Sequence, residues 1–335
     1  MKYVYGPVPS RRLGQSLGID PIPLKTCNWN CVYCQLGRTR PVTNKRGNYS
    51  PAKEILAQVK DSLDRHNPGE IDWITIVGSG EPTLNRDTGW LIREIKRITD
   101  IPVAVITNGA LLYQAEVRDE LMLADALLPS LDAGNKELYR RINRPHPDCT
   151  YQRLVNGMTN FNEQFSGMFW VEVMLVKDLN DTPEALQSLA GILHGIQPDE
   201  VHINLPTRAP VETWVQPPSD EGLMRALAIL GDVARVVHPA KGTFDLSGHD
   251  NLIDSIISII TRHPMREEEL IHTLKQWTAE EVGEVLEQLR QSDQAQMVLR
   301  YGSRFWSGGN AFYPDDIGDH HSPPDVMQKH KRRKR

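Results

Sequence analysis

The sequence predicts an α/β protein. It reads as a partial, open (β/α)6 barrel of the TIM type over residues 1–245, a small winged-helix-like domain over 250–314, and a flexible basic tail over 315–335. Three observations carry that reading. Short apolar runs rich in β-formers alternate with helical stretches, which implies a parallel sheet with right-handed crossovers. The residue types that do chemistry fall just after successive strands, and so on one rim of such a sheet. From about Asn251 the pattern changes to three helices and a hairpin.

The candidate strands are 16–20, 71–77, 103–107, 126–131, 168–176 and 200–204. Helical stretches at 51–66, 87–99, 151–165, 183–194 and 220–235 lie between or after them. Pro51 and Pro183 sit where a first-turn proline is tolerated, behind Ser50 and Thr182 as N-caps. Six strand–helix units are too few for a closed eight-fold barrel, and fit an open one. A cysteine-bearing loop follows the first strand, and Gly78-Ser-Gly-Glu-Pro82 the second. Asn108-Gly109 ends the third strand and Ser130-Leu-Asp132 the fourth. Beyond Asn251, helices at 252–262, 266–275 and 279–292 precede strands at 297–301 and 304–307 around Gly302, the layout of a winged helix.

A length of 335 residues with 39% hydrophobic and 24% charged residues describes a globular protein. No apolar run approaches the ~20 residues that span a bilayer, and the N-terminal run lacks the apolar centre of a signal peptide. A reducing cytoplasm and no membrane association are the expectation. The net charge of −5 combines six positive charges between Lys329 and Arg335 with a body at −11. An acidic body argues against a general nucleic-acid binder.

Cys27, Cys31 and Cys34 are spaced C-x3-C-x2-C. Three thiolates this close cannot share one face of a helix or strand, but a loop can wrap them around one metal centre. A [4Fe–4S] cluster normally takes four thiolates, so three leave one iron open to a small molecule. Structural zinc is the alternative. It is usually four-coordinate and built from C-x2-C pairs, and would need Cys149 or one of eleven histidines as fourth ligand. Four cysteines in 335 residues are too sparse for a disulfide scaffold.

With Tyr33 directly before the third cysteine, this loop resembles the motif of the radical S-adenosylmethionine (SAM) superfamily, and the resemblance extends over roughly residues 10–240. It implies an enzyme. SAM chelates the open iron of the cluster, and one-electron reduction breaks its S–C5′ bond. The resulting 5′-deoxyadenosyl radical abstracts a substrate hydrogen. The implied cofactors are a [4Fe–4S] cluster held by Cys27, Cys31 and Cys34, and SAM; the implied partner is a one-electron donor such as ferredoxin or flavodoxin. The resemblance assigns SAM contacts to Tyr33, Gly78, Gly80, Glu81, Asn108, Ser130 and Asp132. Gly78 and Gly80 would leave room for the methionyl group and could adopt positive φ, with Glu81 nearby to balance charge. Glu172, Lys177, Asn204 and Arg208, on or after the fifth and sixth strands, would line the substrate side.

The run from Gly6 to Gly14 resembles a subgroup related to tRNA wybutosine synthases, in which Arg11 and Arg12 would meet a carboxylate or phosphate. That makes RNA the leading substrate class, with a peptide or metabolite as alternatives. Only Cys149 remains beyond the motif, so auxiliary clusters of the kind found in several relatives are excluded. Cys149 is either a packed thiol or a hydrogen-atom relay. The third helix of the C-terminal domain carries four glutamates and only Arg290, which favours a protein contact or lid over nucleic-acid reading. A metal-bearing winged-helix regulator with an inactive barrel is the competing class.

Overall fold

The computed structural model describes residues 2–237, 251–275 and 277–314. The basic tail, 315–335, and the join between barrel and C-terminal elements lie outside the described residues.

Eight strands form one sheet in chain order: β1 (Val4–Pro9), β2 (Gln15–Ile19), β3 (Trp73–Ile76), β4 (Val103–Thr107), β5 (Ala126–Pro129), β6 (Met168–Met174), β7 (Glu200–Asn204) and β8 (Ala234–Val236). β1 is antiparallel to β2, and every later pair is parallel. α1 (Ala52–Arg65), α2 (Thr88–Ile98), α3 (Ala115–Leu121), α4 (Lys136–Asn143), α5 (Tyr151–Asn162), α6 (Pro183–Ile196) and α7 (Asp220–Leu230) supply the crossovers. Six β/α units and a closing strand make a partial TIM-like barrel, open between β1 and β8 among the described residues.

All six expected strands are present. The differences are local and have physical causes. Pro51 is itself the N-cap of α1, without a side-chain cap bond, so Ser50 does not cap. Thr182 does cap α6, accepting from the Ala185 amide, with Pro183 in the first turn. The stretch 220–235 is not one helix: Gly231, at φ 79, ends α7 and frees the chain to form β8. Short α3 and α4 carry too few turns for a periodic signal, and strand β1 takes in the first residues of the Gly6–Gly14 run, which the sequence did not mark as a strand.

Alternation along the strands sorts two cores. Val103, Val105 and Leu127 face the helices within the main core, whereas Ala104, Ala126 and Leu128 face the lumen. The β1–β2 turn folds inward there: Leu13, 1% exposed, packs with those three residues and with Trp73, Ile106, Met168 and Trp170. The lumen is therefore plugged from one side and polar above the plug.

The C-terminal residues form α8 (Leu252–Arg262), β9 (Met265–Arg266), α9 (Glu267–Thr273), α10 (Ala279–Gln291), β10 (Ala295–Arg300) and β11 (Ser303–Gly308). The strands pair antiparallel in the order β10-β11-β9. Ile256, Ile260, Leu289 and Trp306 centre a separate core. Thr278 and Glu281 close a capping box at α10. Tyr301 and Gly302, both at positive φ, make the two-residue turn between β10 and β11. This unit packs on the barrel. The Arg262 guanidinium meets Asp20 at 3.0 Å and donates to the Lys2 carbonyl at 2.8 Å, and Arg300 donates to the Pro210 carbonyl at 3.1 Å. No helix among the described residues is long and apolar enough to cross a membrane.

Candidate functional site

A cavity of about 390 Å³ runs from the C-terminal ends of the strands down to Ser16 and Thr75. Cys27, Cys31, Cys34, Tyr33, Gly78 and Gly80 form one part of its wall. Arg11, Arg12, Glu172, Asn204 and Arg208 form another, and His263 comes from the C-terminal unit. Most residues singled out from the sequence thus meet at one place. Glu81, Asn108, Ser130 and Asp132 do not line the cavity and stand behind it, and Lys177 is exposed away from it.

The cysteine loop is held by its backbone. Lys25, at φ 61, donates its amide to the Ser79 carbonyl at 2.7 Å, and the Glu81 amide donates to the Thr26 carbonyl at 2.9 Å. Trp29, 2% exposed, anchors the loop edge-on against Tyr139. Each sulfur faces an N–H donor. The Trp29 amide lies 3.4 Å from Cys27 Sγ, Asn108 Nδ2 3.8 Å from the same sulfur, Asn143 Nδ2 3.7 Å from Cys31 Sγ, and Lys25 Nζ 3.0 Å from Cys34 Sγ. Burial, with Glu81 adding repulsion, pushes the Cys27 thiol up to about 12. Burial and the neighbouring Cys34 sulfur push Cys31 well above its ordinary value. Burial works to lower the Lys25 pKa, but the three cysteine sulfurs, Cys34 foremost, together outweigh it and the net shift is upward.

Gly78 and Gly80 are needed for close approach, not for backbone freedom. Neither has positive φ, contrary to the expectation from the sequence. A Cβ on Gly80 would lie 2.0 Å from the Thr26 carbonyl oxygen, and one on Gly78 2.6 Å from Ile22 Cγ2. The glycines let the loop after β3 pack directly on the cysteine loop.

Behind the wall, two buried carboxylates tie the strand ends together. Glu81 accepts from Thr83 N at 3.0 Å, Thr83 Oγ1 at 2.6 Å, Thr107 Oγ1 at 2.6 Å and Asn108 N at 2.7 Å, joining the β3 loop to the end of β4. Burial raises its pKa against those four bonds. Asp132 accepts from Tyr33 OH and Asn143 Nδ2, both at 2.6 Å, and from Met174 N at 2.8 Å. Burial pushes it up to about 6 in spite of those bonds. Ser130 bridges β5 to Glu172 of β6 through the backbone. Lys25, Asn28 and Asn143 were not singled out from the sequence. Asn28 accepts from Asn108 Nδ2 at 2.6 Å. Lys25 stands two residues before the first cysteine, a signal that could have found it. Asn143, at the end of a short helix, gave none.

On the opposite wall Arg12 pairs with Glu172 at 2.7 Å and donates to Asn204 Oδ1 at 3.0 Å. Glu172 and Asn204, expected at the substrate side, and Arg12, expected to meet a carboxylate or phosphate, are thus one strut across the lumen. Cys149, 1% exposed, contacts Asn44 Oδ1 at 3.3 Å and does not line the cavity.

The donor set suits a multi-iron group. Three thiols on one wall, each faced by an N–H donor, are the kind of donor set an iron–sulfur cluster takes. The Trp29 and Asn143 N–H groups favour the deprotonated forms of Cys27 and Cys31, against the burial that raises both.

Residues 22–190 match the family model described as the Radical SAM superfamily, half of the chain, and the chain belongs to that superfamily. Its members use a [4Fe–4S] cluster and SAM and draw on an electron donor. Within it the chain falls in the UPF0026 group. It is 34% identical over 277 residues to the UPF0026 protein MJ1312 of Methanocaldococcus jannaschii, covering 80% of this chain and 84% of that one. A protein named GTPase Obg from Brachyspira hyodysenteriae is 43% identical over 263 residues; the match covers 76% of this chain and 38% of that protein, so this chain corresponds to well under half of it. A more distant relative, at 28% identity over 53% of this chain and 51% of its own, is named probable dual-specificity RNA methyltransferase RlmN, from Pseudothermotoga lettingae. Among solved structures, SuiB of Streptococcus suis superposes with a TM-score of 0.49 at 17% identity, over 73% of this chain and 52% of that one.

Proposed function

We propose that this protein is a radical SAM enzyme that holds a [4Fe–4S] cluster on Cys27, Cys31 and Cys34 and acts on a substrate bound in the lumen beside it. The observation that carries the reading is the convergence of the three thiols, Tyr33, Gly78 and Gly80 on one cavity, with an N–H donor at every sulfur. When bound, the cluster and SAM supply one-electron cleavage of the sulfonium and a 5′-deoxyadenosyl radical for hydrogen abstraction.

The chain's own part is placement and exclusion. Thr26, Gly78 and Gly80 bring the β3 loop against the cysteine loop, so that SAM's amino-acid end would meet backbone groups. Glu81 and Asp132 hold that wall rigid from behind, rather than touching SAM directly. Lys25 places positive charge beside Cys34, and Trp29 and Tyr139 keep water from the loop's inner side. The buried Cys27 and Cys31 thiols keep their protons near neutral pH without metal, so loading the centre must release them.

RNA is the substrate class we favour, supported by the likeness of Gly6–Gly14 to wybutosine-type proteins and by the RNA methyltransferase name of a relative. We read the C-terminal unit as a winged helix that serves as a wall of the cavity. Four glutamates on α10 argue against its use as a nucleic-acid reader. Ferredoxin or flavodoxin would supply the electron.

Anaerobic iron and sulfide analysis tests the reading, with electron paramagnetic resonance of the reduced protein. The expected result is about four irons per chain, a signal that changes on adding SAM, and release of 5′-deoxyadenosine under reductant. Serine at any of the three cysteines should abolish the cluster. A reconstituted protein whose iron signal ignores SAM would overturn it.

A further inference from the structure

We propose that Arg11, Arg208 and His263 form an anion subsite on the cavity wall, which takes a phosphate or carboxylate group of the substrate. The inference rests on the reading of this cavity as the substrate site, and deepens it.

Charge balance carries it. Among the described residues three arginines and Lys25 line the cavity, and Glu172 is the one carboxylate in its wall. That carboxylate is engaged by Arg12 at 2.7 Å. Asp20 close by is taken by Arg262 at 3.0 Å and by Ser79 at 2.5 Å. Arg11 and Arg208 form no ion pair among the described residues. Arg11 donates to Thr207 Oγ1 at 2.8 Å, and Arg208 reaches the Pro264 carbonyl at 3.5 Å, so most of their ten N–H groups remain available. Glu172 acts electrostatically on Arg11 and Glu269 on both arginines, but neither carboxylate forms an ion pair with them, and Glu269 is exposed.

The two guanidiniums stand near enough to repel each other. Burial first, then Arg11, lowers the Arg208 pKa to about 10, so both stay charged at neutral pH. Uncompensated like charges at a buried site oppose folding, and an anion between them would relieve the repulsion. The guanidinium fork matches the geometry of phosphate and carboxylate oxygens.

His263 completes the wall from the C-terminal unit. Its ring packs edge-on against Tyr5 at 5.6 Å, and its Nε2 is buried without a partner. Burial and the guanidiniums of Arg208, Arg262 and Arg11 keep the imidazole neutral, so it can offer one N–H without adding charge.

Calorimetric titration of the full metal-free chain with inorganic phosphate tests the proposal, with acetate as a second arm. We expect one saturable site. Arg11→Gln and Arg208→Gln should each weaken it at least tenfold, while Arg40→Gln, at an exposed arginine off the cavity, should leave it unchanged. Arg208→Lys keeps the charge without the fork, and intermediate affinity in a chain with wild-type melting would support the site if the glutamine variant unfolds. Phosphate binding alone assigns a phosphate group, and acetate binding assigns a carboxylate. Failure of both anions to saturate the wild type, binding that survives Arg11→Gln with Arg208→Gln, or full displacement by SAM would overturn the substrate subsite. No cluster is needed for this measurement, so its failure leaves the radical SAM reading standing, and failure of cluster assembly leaves this one standing.

Discussion

Asp132 and Arg12 illustrate how single buried groups hold the site. Asp132 keeps its proton up to about pH 6 in the folded chain, whereas the unfolded chain loses it near 4. The folded state therefore binds more protons across that window, and the contribution to stability is present below about pH 4 and lost as pH rises through 6. Denaturation of the metal-free chain should show this loss, on the order of 2–3 kcal/mol, and Asp132→Asn should lack the dependence. Asn cannot accept from all three of Tyr33, Asn143 and Met174, so that variant should also be less stable by about 1–3 kcal/mol near pH 7. Arg12→Gln strands Glu172 in the lumen and should cost about 3 kcal/mol in chemical denaturation. Arg12→Gln with Glu172→Gln should recover most of it, which separates a stranded charge from lost packing.

At the scale of elements, the β3 loop and the cysteine loop behave as one piece. Gly80 meets Thr26 backbone rather than a flexible side chain, so the contact cannot yield cheaply. Gly80→Ala should lower stability by about 1–3 kcal/mol and reduce iron loading, although no ligand is changed; iron content and thermal melting check both. The strands and long helices of this region were legible because their hydrophobic periods are clear. The reason for Gly78 and Gly80 was not. A glycine that admits a neighbouring backbone looks, in sequence, like a glycine that permits positive φ. The resemblance assigned Glu81 and Asp132 to SAM, and their bonds to Thr107, Asn108, Tyr33 and Asn143 are tertiary contacts that spacing cannot reveal.

Across the whole molecule, the C-terminal unit is coupled to the cysteine side through Arg262. Its partner Asp20 also accepts from the Ser79 amide at 2.9 Å, inside the run between Gly78 and Gly80. A second seam runs along the loop itself, where the Arg38 amide donates to the Phe312 carbonyl at 2.8 Å and Arg40 stacks over the Phe312 ring. Arg262→Ala leaves Asp20 with one fewer donor and removes the guanidinium from Tyr5. Hydrogen exchange should then quicken in α8 and around Ser79, with unchanged rates in α5 and α6. Uniform acceleration would mean global destabilisation instead.

The amino-acid order by itself determined the alternating strands and helices, the shared rim, and a thiol spacing that one loop can wrap around a metal centre. These are local signals, set by hydrophobic period and by the reach of one loop. Only the tertiary structure decided that the β1–β2 turn plugs the lumen, that Arg12 is spent on Glu172 while Arg11 and Arg208 are not, and that His263 closes the cavity. Each depends on which distant charges and backbones meet once the sheet has curved, and a sequence holds no record of partners some 200 residues apart.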